Sequence, residues 1–369
     1  MSPSLRFPEF TGEWEKCVLG DYGKVVTGNT PPTKDIENYE NGTYLWASPA
    51  DLGTHKLISE TKTKLSSKGF TKTRPLSKGS VLVTCIGSTI GKTGMATREM
   101  STNQQINSIV VNENNDNEFV YYVVQSAFPH YLSSIAVQAV PIISKSSFEL
   151  LPSKRPSLQE QNKIGIFLSL LDERISTQHR LIDRLQSLMK GIRHRIINEA
   201  KGKIVCLCEV SDIYQPQTIS SADLTETGYP VYGANGIIGH YTSYNHEAEQ
   251  VCITCRGNTC GGVNYTKSKS WITGNAMVVN VDRYQNIVSK RYLYHYLSNC
   301  DFNSIISGSG QPQIVRAPLA KFKIILPTVM QQYKIAHCLD VIQNKINVNS
   351  NILNLLIRQK QYLLRKMFI

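Results

Sequence analysis

The sequence predicts an α+β protein: two globular domains of mixed helix and strand, separated by two long α-helices that pair as an antiparallel coiled coil, with a pseudo-twofold internal repeat. Three observations predict it. First, the segment 161–185, "QNKIGIFLSLLDERISTQHRLIDRL", recurs at 332–356 as "QYKIAHCLDVIQNKINVNSNILNLL", with Gln161/Gln332, Lys163/Lys334, Ile164/Ile335, Leu168/Leu339, Ile175/Ile346 and Leu185/Leu356 identical. Repetition at a fixed offset is the signature of a duplicated architecture. Second, apolar residues in both segments follow the alternating four-and-three spacing of a coiled-coil seam. Third, the regions between the helices echo each other, as "CIGSTIGKTGMA" at 85–96 does "CRGNTCGGVNYT" at 255–266.

In chain order, 1–156 reads as a first globule of apolar runs, Gly turns and short helical patches such as "FVYYVVQSAF". Residues 157–200 follow as a helix whose seam is Ile164, Leu168, Leu171, Ile175, Gln178, Ile182, Leu185, Met189, Ile192 and Ile196. A second globule occupies 201–327, with "KRYLYHYLSN" as its helical patch. The second helix, 328–369, carries the seam Ile335, Leu339, Ile342, Ile346, Asn349, Leu353, Leu356, Lys360, Leu363 and Met367. Seventeen of these twenty seam positions are apolar, where the chain's 41% average gives about eight. Gln178 and Asn349 occupy equivalent places, so the polar break is itself repeated; such a residue fixes register at some cost in stability. Near the pseudo-twofold axis the two are expected to face each other. At about 1.5 Å per residue each helix is roughly 58 Å long.

Composition bounds the partners. The 369 residues carry 40 Lys+Arg against 28 Asp+Glu, a net +12, which suits a phosphate-covered or otherwise acidic partner. Nine Cys without an N-terminal leader point to reduced thiols in the cytoplasm, and no run approaches the length of a membrane span. Cys206, Cys208, Cys252, Cys255 and Cys260 have spacings that zinc would accept, but "KIVCLCEV" and "QVCITC" read as strands in which Cys is a small core residue.

Enzymatic readings fit poorly. "GSTIGKTG" resembles a phosphate-binding loop, yet only three residues separate Gly87 from Gly91 where four are required, and "TGMATREMSTNQQ" lacks helical periodicity. A nucleotide-dependent or nuclease enzyme is the rival reading. For a nuclease, Glu199 and Lys201 give a Glu-x-Lys pattern, but at a helix exit where charges are solvated. "NTPPT" has a Thr between Asn29 and its prolines, so it reads as a turn rather than a base-flipping methyltransferase motif. The eight His have no ligand or triad spacing.

Globule, helix, globule, helix, with "WEKCVLG", "TGNTPPT", "GSTIGK", "SGSGQPQIVR" and a helix after each Leu-Pro, resembles the specificity subunit of type I restriction-modification systems. The resemblance covers the whole chain. It implies that the globules are target recognition domains, each reading one half of a split sequence in double-stranded DNA, and that the helices are spacers docking two modification (methyltransferase) subunits. It also implies a non-catalytic chain in a bacterial or archaeal cytoplasm, with no membrane partner and no cofactor of its own. S-adenosylmethionine, ATP and Mg belong to the modification and restriction subunits. One departure is "SIAVQAVPIISKS", which lacks the Gly-Gln-Pro-Gln of the second globule.

Candidate DNA contacts follow. In 54–80, Lys62, Lys64, Lys68, Lys72 and Arg74, interleaved with Ser and Thr, suit phosphate contact along a loop. Ser88, Thr89 and Lys92 belong to the recognition-domain turn that the resemblance makes of GSTIGK. Arg256, Asn258 and Thr259 stand on the equivalent second turn, followed by Lys267 and Lys269; Arg and Asn are suited to bidentate contacts with base edges. Gln311 and Arg316 either touch DNA or shape the start of a strand.

Overall fold

The computed structural model describes residues 3–134, 142–308 and 310–368. Two compact units account for the chain: Met1–Gln178 with Ile352–Ile369, and His179–Asn351. Each closes on itself with a short antiparallel pair: Glu15–Val18 with Pro152–Arg155 in the first, Lys203–Cys206 with Lys323–Leu326 in the second.

In the first unit a five-stranded sheet runs in the order Gly23–Thr27, Ile106–Val111, Val81–Thr84, Thr93–Ala96, Leu57–Ile58. Strand side chains alternate between faces, so "VLVT" splits its burial. Val81 and Val83 join the helix Asn117–Ser134 through Val120, Val124 and Phe128, while Leu82 packs with Leu45, Leu52, Leu76 and Met100 beneath a second sheet. That sheet has Tyr44–Ala47 between Thr63–Leu65 and Ser101–Thr102.

The second unit repeats this plan with a main sheet of four strands instead of five. Its sheets run Asp212–Tyr214, Ala276–Asn280, Val251–Thr254, Val263–Tyr265, and Gly236–Tyr241, Tyr229–Gly233, Trp271–Ile272. Val251 and Ile253 meet Tyr292 and Leu293 of the helix Lys290–Leu297. Cys252 turns to the opposite face with Tyr232, Ile272 and Val278, and burial pushes its thiol up to about 12. "KIVCLCEV" is a strand only as far as Cys206. Leu207–Val210 is a helical turn, because the Glu209 carboxylate reaches back to accept the Cys206 amide proton at 2.8 Å and so caps it. Likewise the basic stretch expected as a loop folds into the strand Thr63–Leu65 and the helix Ser67–Thr71, capped by Ser66, whose Oγ accepts from the Gly69 amide at 3.1 Å.

Both long helices form, as Leu158–Glu199 and Val329–Met367. Within the first unit Ile164, Leu168 and Leu171 are buried with Leu356, Leu363 and Met367. Glu160 accepts from Trp14 Nε1, and the Trp14 ring meets Phe368 edge-on, whereas further along Asp172 pairs with Lys360 at 2.6 Å. The helical segments therefore run antiparallel. Lys360, polar in the predicted seam, is matched there by a carboxylate. In the second unit Met189 packs with Leu339 and Ile346, and Ile197 joins the core containing Ala336, which is again antiparallel. Ile197 rather than Ile196 takes the last buried place. A 3.6-residue turn drifts from a 3.5-residue seam, and here the helix meets the globule's core.

The repeated Gln explains why each long helix begins where it does. Gln161 is 1% and Gln332 0% exposed. Gln161 donates to the Pro156 carbonyl at 3.1 Å and accepts from the Asp116 amide at 3.1 Å; Gln332 donates to the Pro327 carbonyl at 2.9 Å and accepts from the Ser289 amide at 2.8 Å. Asp116 and Ser289 each precede the helix that covers the sheet. One side chain thus ties the start of the long helix to the start of the globule's helix in each unit. Gln332→Leu, which strands a buried amide N–H and a buried carbonyl, is expected to lower stability by about 2–4 kcal/mol, read as a shift in urea midpoint.

A second tie is ionic. His295, with its side chain fully buried, meets Asp340 Oδ1 through Nε2 at 2.8 Å, and Arg291 Nε donates to the same carboxylate at 2.9 Å. Burial pulls the His295 pKa down to about 4, helped by the charges of Arg193 and Arg291 and opposed by Asp340. Asp340 is held below the usual carboxylate range: burial opposes this, but hydrogen bonds from Arg291 and His295 prevail. A His whose folded pKa lies below its unfolded value binds its proton preferentially when unfolded, so stability falls as pH falls from about 6.5 towards 4. Urea midpoints measured across this window should drop on acidification, and His295→Gln should flatten the slope.

Candidate nucleic-acid interface

In the first unit the GSTIG turn joins the antiparallel strands Val81–Thr84 and Thr93–Ala96. Gly87 and Gly91 have φ of +93° and +89°, backbone that favours glycine. The turn is closed by the Ile90 amide donating to Gly87 O at 3.2 Å, Gly91 to Thr84 O at 3.0 Å, and Lys92 to Thr89 O at 3.2 Å. After Lys92 the chain enters a strand, so no helix N-terminus aims amides into this loop and the phosphate-loop reading fails on geometry. Ser88 and Lys92 are exposed, Thr89 half-buried.

The second unit builds the same turn between Val251–Thr254 and Val263–Tyr265, with Gly257 and Gly261 at φ +85° and +91°. Cys260 donates to Gly257 O at 2.9 Å, Gly261 to Thr254 O at 2.8 Å and Gly262 to Thr259 O at 2.9 Å. The Gln-Pro-Gln segment is stitched to it: Gly257 N donates to Pro312 O at 3.0 Å, Ile314 N to Cys255 O at 3.0 Å, and Arg256 bridges Gln313. Arg256, Asn258, Gln311 and Gln313 are exposed on this platform. Thr259 is exposed as well but spends its hydroxyl on Ala234 O at 3.4 Å. Arg316 opens the helix Arg316–Ala320 just beyond. Lys267 and Lys269 do not join this group, because they follow the far end of the strand Val263–Tyr265. Lys269, at φ +51°, lies 3.9 Å from Glu247. The first unit's counterpart of the Gln-Pro-Gln segment falls in 134–146, of which 135–141 lie outside the described residues; beyond them Ile143 N donates to Cys85 O at 2.8 Å, as Ile314 does to Cys255.

The basic segment divides by its partners. Lys64 pairs with Glu60 at 2.7 Å, Lys72 with Asp35 at 3.1 Å, and Lys68 with Asp35 at 3.4 Å and with Glu37. These contacts draw the Asp35 pKa down, chiefly through the Lys72 hydrogen bond, and that of Glu60 through Lys64. Among the described residues Lys62, Arg74, Lys92 and Arg256 form no ion pair, and Arg74 instead donates to the Thr27 carbonyl at 2.8 Å. That contact leads into the "TGNTPPT" stretch. A side chain at Gly28 would run into the Thr102 and Asn103 carbonyl oxygens at 2.2 and 2.3 Å, and Asn29 Nδ2 donates to Lys72 O at 2.8 Å. The 103–105 loop therefore lies between this stretch and the GSTIG turn, with Cys85 N donating to Gln105 O at 2.7 Å. Sequence reasoning missed Gln104 and Gln105. Their signal was the adjacent amides of "TNQQ", in a stretch weighed only for its lack of helical periodicity.

No group of three or more His, Cys, Asp and Glu among the described residues is placed to hold a metal ion, and no helix among them is long and apolar enough to cross a membrane.

Two units of one topology, each closing on segments of two long helices and each presenting a glycine-framed polar turn, define an internally duplicated protein. The chain belongs to the family described as the type I restriction modification DNA specificity domain, which matches residues 11–187 and again 200–358. It is similar to the type I restriction enzyme EcoprrI specificity subunit of Escherichia coli, 24% identical over 353 residues, covering 89% of this chain and 87% of that one. It is also similar to the MjaVIII specificity subunit of Methanocaldococcus jannaschii, 23% identical over 93% of this chain and 88% of the relative. The same fold occurs in the type I restriction-modification S subunit from M. genitalium, with TM-score 0.71, 17% identity and coverage of 100% and 99% of the two chains. A chain from a study of type I R-M complex assembly and conformational transition gives a TM-score of 0.57 at 18% identity, covering 96% and 97%. The chain is thus a specificity subunit of a type I restriction-modification system.

The two turns differ in what surrounds them. A Cβ on Gly91 would meet Phe128 Cδ1 at 3.0 Å, tighter than ordinary contact, whereas one on its counterpart Gly261 would meet Phe302 Cδ2 at an ordinary 3.5 Å. Both substitutions to Ala carry the left-handed backbone penalty of about 1–2 kcal/mol. Thermal denaturation should therefore rank Gly91→Ala as the more destabilising.

Proposed function

We propose that this chain reads a bipartite site in double-stranded DNA, one half with each unit, and is itself non-catalytic. Its long helices dock two modification subunits, and restriction subunits join the assembly. Methyl transfer with S-adenosylmethionine and ATP- and Mg-dependent cleavage then belong to those partners. The observation that carries the reading is the turn built twice on one glycine frame with different exposed side chains. A common scaffold with exchanged polar groups is what reading two different half-sites requires.

Within this reading Arg256, on a backbone braced by Gln313 and Pro312, contacts a guanine edge, with Asn258, Thr259, Gln311 and Arg316 around it. Ser88, Thr89 and Lys92 serve the first unit's turn. Lys62, Lys64, Lys68, Lys72 and Arg74, with Lys267 and Lys269 in the second unit, contribute the sequence-independent attraction to phosphate. Losing a bidentate guanine contact costs about 1–3 kcal/mol at that base pair. Arg256→Ala is therefore expected to relax one position of one half-site and leave the other half-site intact, read by methylome sequencing of cells carrying the variant with its modification subunits. Loss of an intrinsic ATPase on Lys92→Ala would overturn the non-catalytic reading.

A further inference from the structure

We propose that Gln104 is a base-reading side chain of the first unit, selecting an A·T pair at one position of its half-site, with Thr30 as the positioning residue that orients its amide. The inference rests on the DNA-reading function above and adds a residue and a base class to it.

Gln104 is the exposed member of a short loop whose other members are fixed. Asn103 is buried and Gln105 half-buried. The loop backbone is anchored by Asn103 N donating to Ala47 O at 2.9 Å, Gln105 N to Asn103 Oδ1 at 3.0 Å and Cys85 N to Gln105 O at 2.7 Å. A long polar side chain therefore stands out from a rigid base, the condition for reading geometry rather than merely being solvated.

The amide is also held. Thr30 Oγ1 donates to Gln104 Oε1 at 2.6 Å. That bond engages one lone pair of the oxygen and leaves the second, with both Nε2 protons, on an exposed side chain to bond a ligand. One acceptor beside one donor is the complement of the adenine major-groove edge, where N6–H donates and N7 accepts. Basic residues flank the same loop: Arg74, whose guanidinium donates to Thr27 O at 2.8 Å, and Lys72, whose carbonyl accepts from Asn29 at 2.8 Å while its ammonium pairs with Asp35. Contacts that position the duplex and a contact that reads it thus share one surface.

Comparison with the second unit sharpens the assignment. Cys85 N bonds Gln105 O just as Cys255 N bonds Asn275 O, so Gln104 corresponds to Gly274, which has no side chain. Conversely, Arg256 stands where the first unit has the half-buried Ile86. The polar reader has changed both loop and chemistry, from a guanidinium suited to guanine to an amide suited to adenine.

The test uses the full chain assembled with its modification subunits and a randomised duplex library, with bound DNA recovered and sequenced for wild type, Gln104→Ala, Gln104→Arg and Thr30→Val. Expected is a two-part motif for wild type, and for Gln104→Ala a loss of about tenfold in preference at one A·T position, with the other half-site unchanged. Gln104→Arg should move that position towards G·C, and Thr30→Val should weaken it several-fold (about 3–10) without a new preference. An unchanged motif in Gln104→Ala, or a uniform loss of binding with no positional change, overturns the assignment while leaving the DNA-reading function standing. A wild-type complex that enriches no sequence overturns the function and this inference together.

Discussion

Everything in each unit hangs on a buried glutamine at the start of a long helix. Gln161 and Gln332 each satisfy two backbone groups that would otherwise be orphaned in the interior: the carbonyl of the proline before the long helix and the amide at the head of the helix covering the sheet. A buried amide with all its partners is costly to disturb and leaves little freedom of orientation. The sheet, its covering helix and the long helix are thereby locked as one body, and the loops at the sheet's end inherit that rigidity. It recurs at equivalent places because both halves must solve the same problem.

Rigidity at the turn then comes from glycine. Four residues at positive φ, Gly87, Gly91, Gly257 and Gly261, let two strands reverse in each unit, with the Gly91 and Gly261 amides donating to Thr84 O and Thr254 O. Ser88 and Asn258 between them are exposed and exchange on the same backbone, as Ile86 and Arg256 do just before the first glycine, while Ile90 and Cys260 pack against the cores. A phosphate-binding loop needs the opposite arrangement, with amides pointing out and a helix behind them.

Electrostatics divides along similar lines. The net charge of +12 supplies a general attraction to a polyanion. Locally, Lys64, Lys68 and Lys72 lie beside Glu60, Asp35 and Glu37, which moderates them and fixes where they sit. Arg74 lies against the Thr27 carbonyl, just before Gly28 and Asn29, so its position is set by that backbone.

The sequence by itself determined the duplication, the two helices and their seams, because periodicity and repetition are local properties legible along one chain. It also marked the paired turns, since Gly-x-x-x-Gly with polar residues between them is a backbone requirement written in residue types. It did not reveal that Leu207–Val210 is a helical turn, because the deciding bond is a cap from Glu209. Nor did it reveal that Lys360 is matched by Asp172 on the other helix. The tertiary structure alone decided which polar residues share a surface. Arg256 meets Gln313, and Thr30 meets Gln104, through loops distant in sequence that only the sheet brings together, whereas Lys267 is held away from Arg256 by the intervening strand. Side-chain proximity across such loops depends on strand order and register, and no spacing along the chain encodes either.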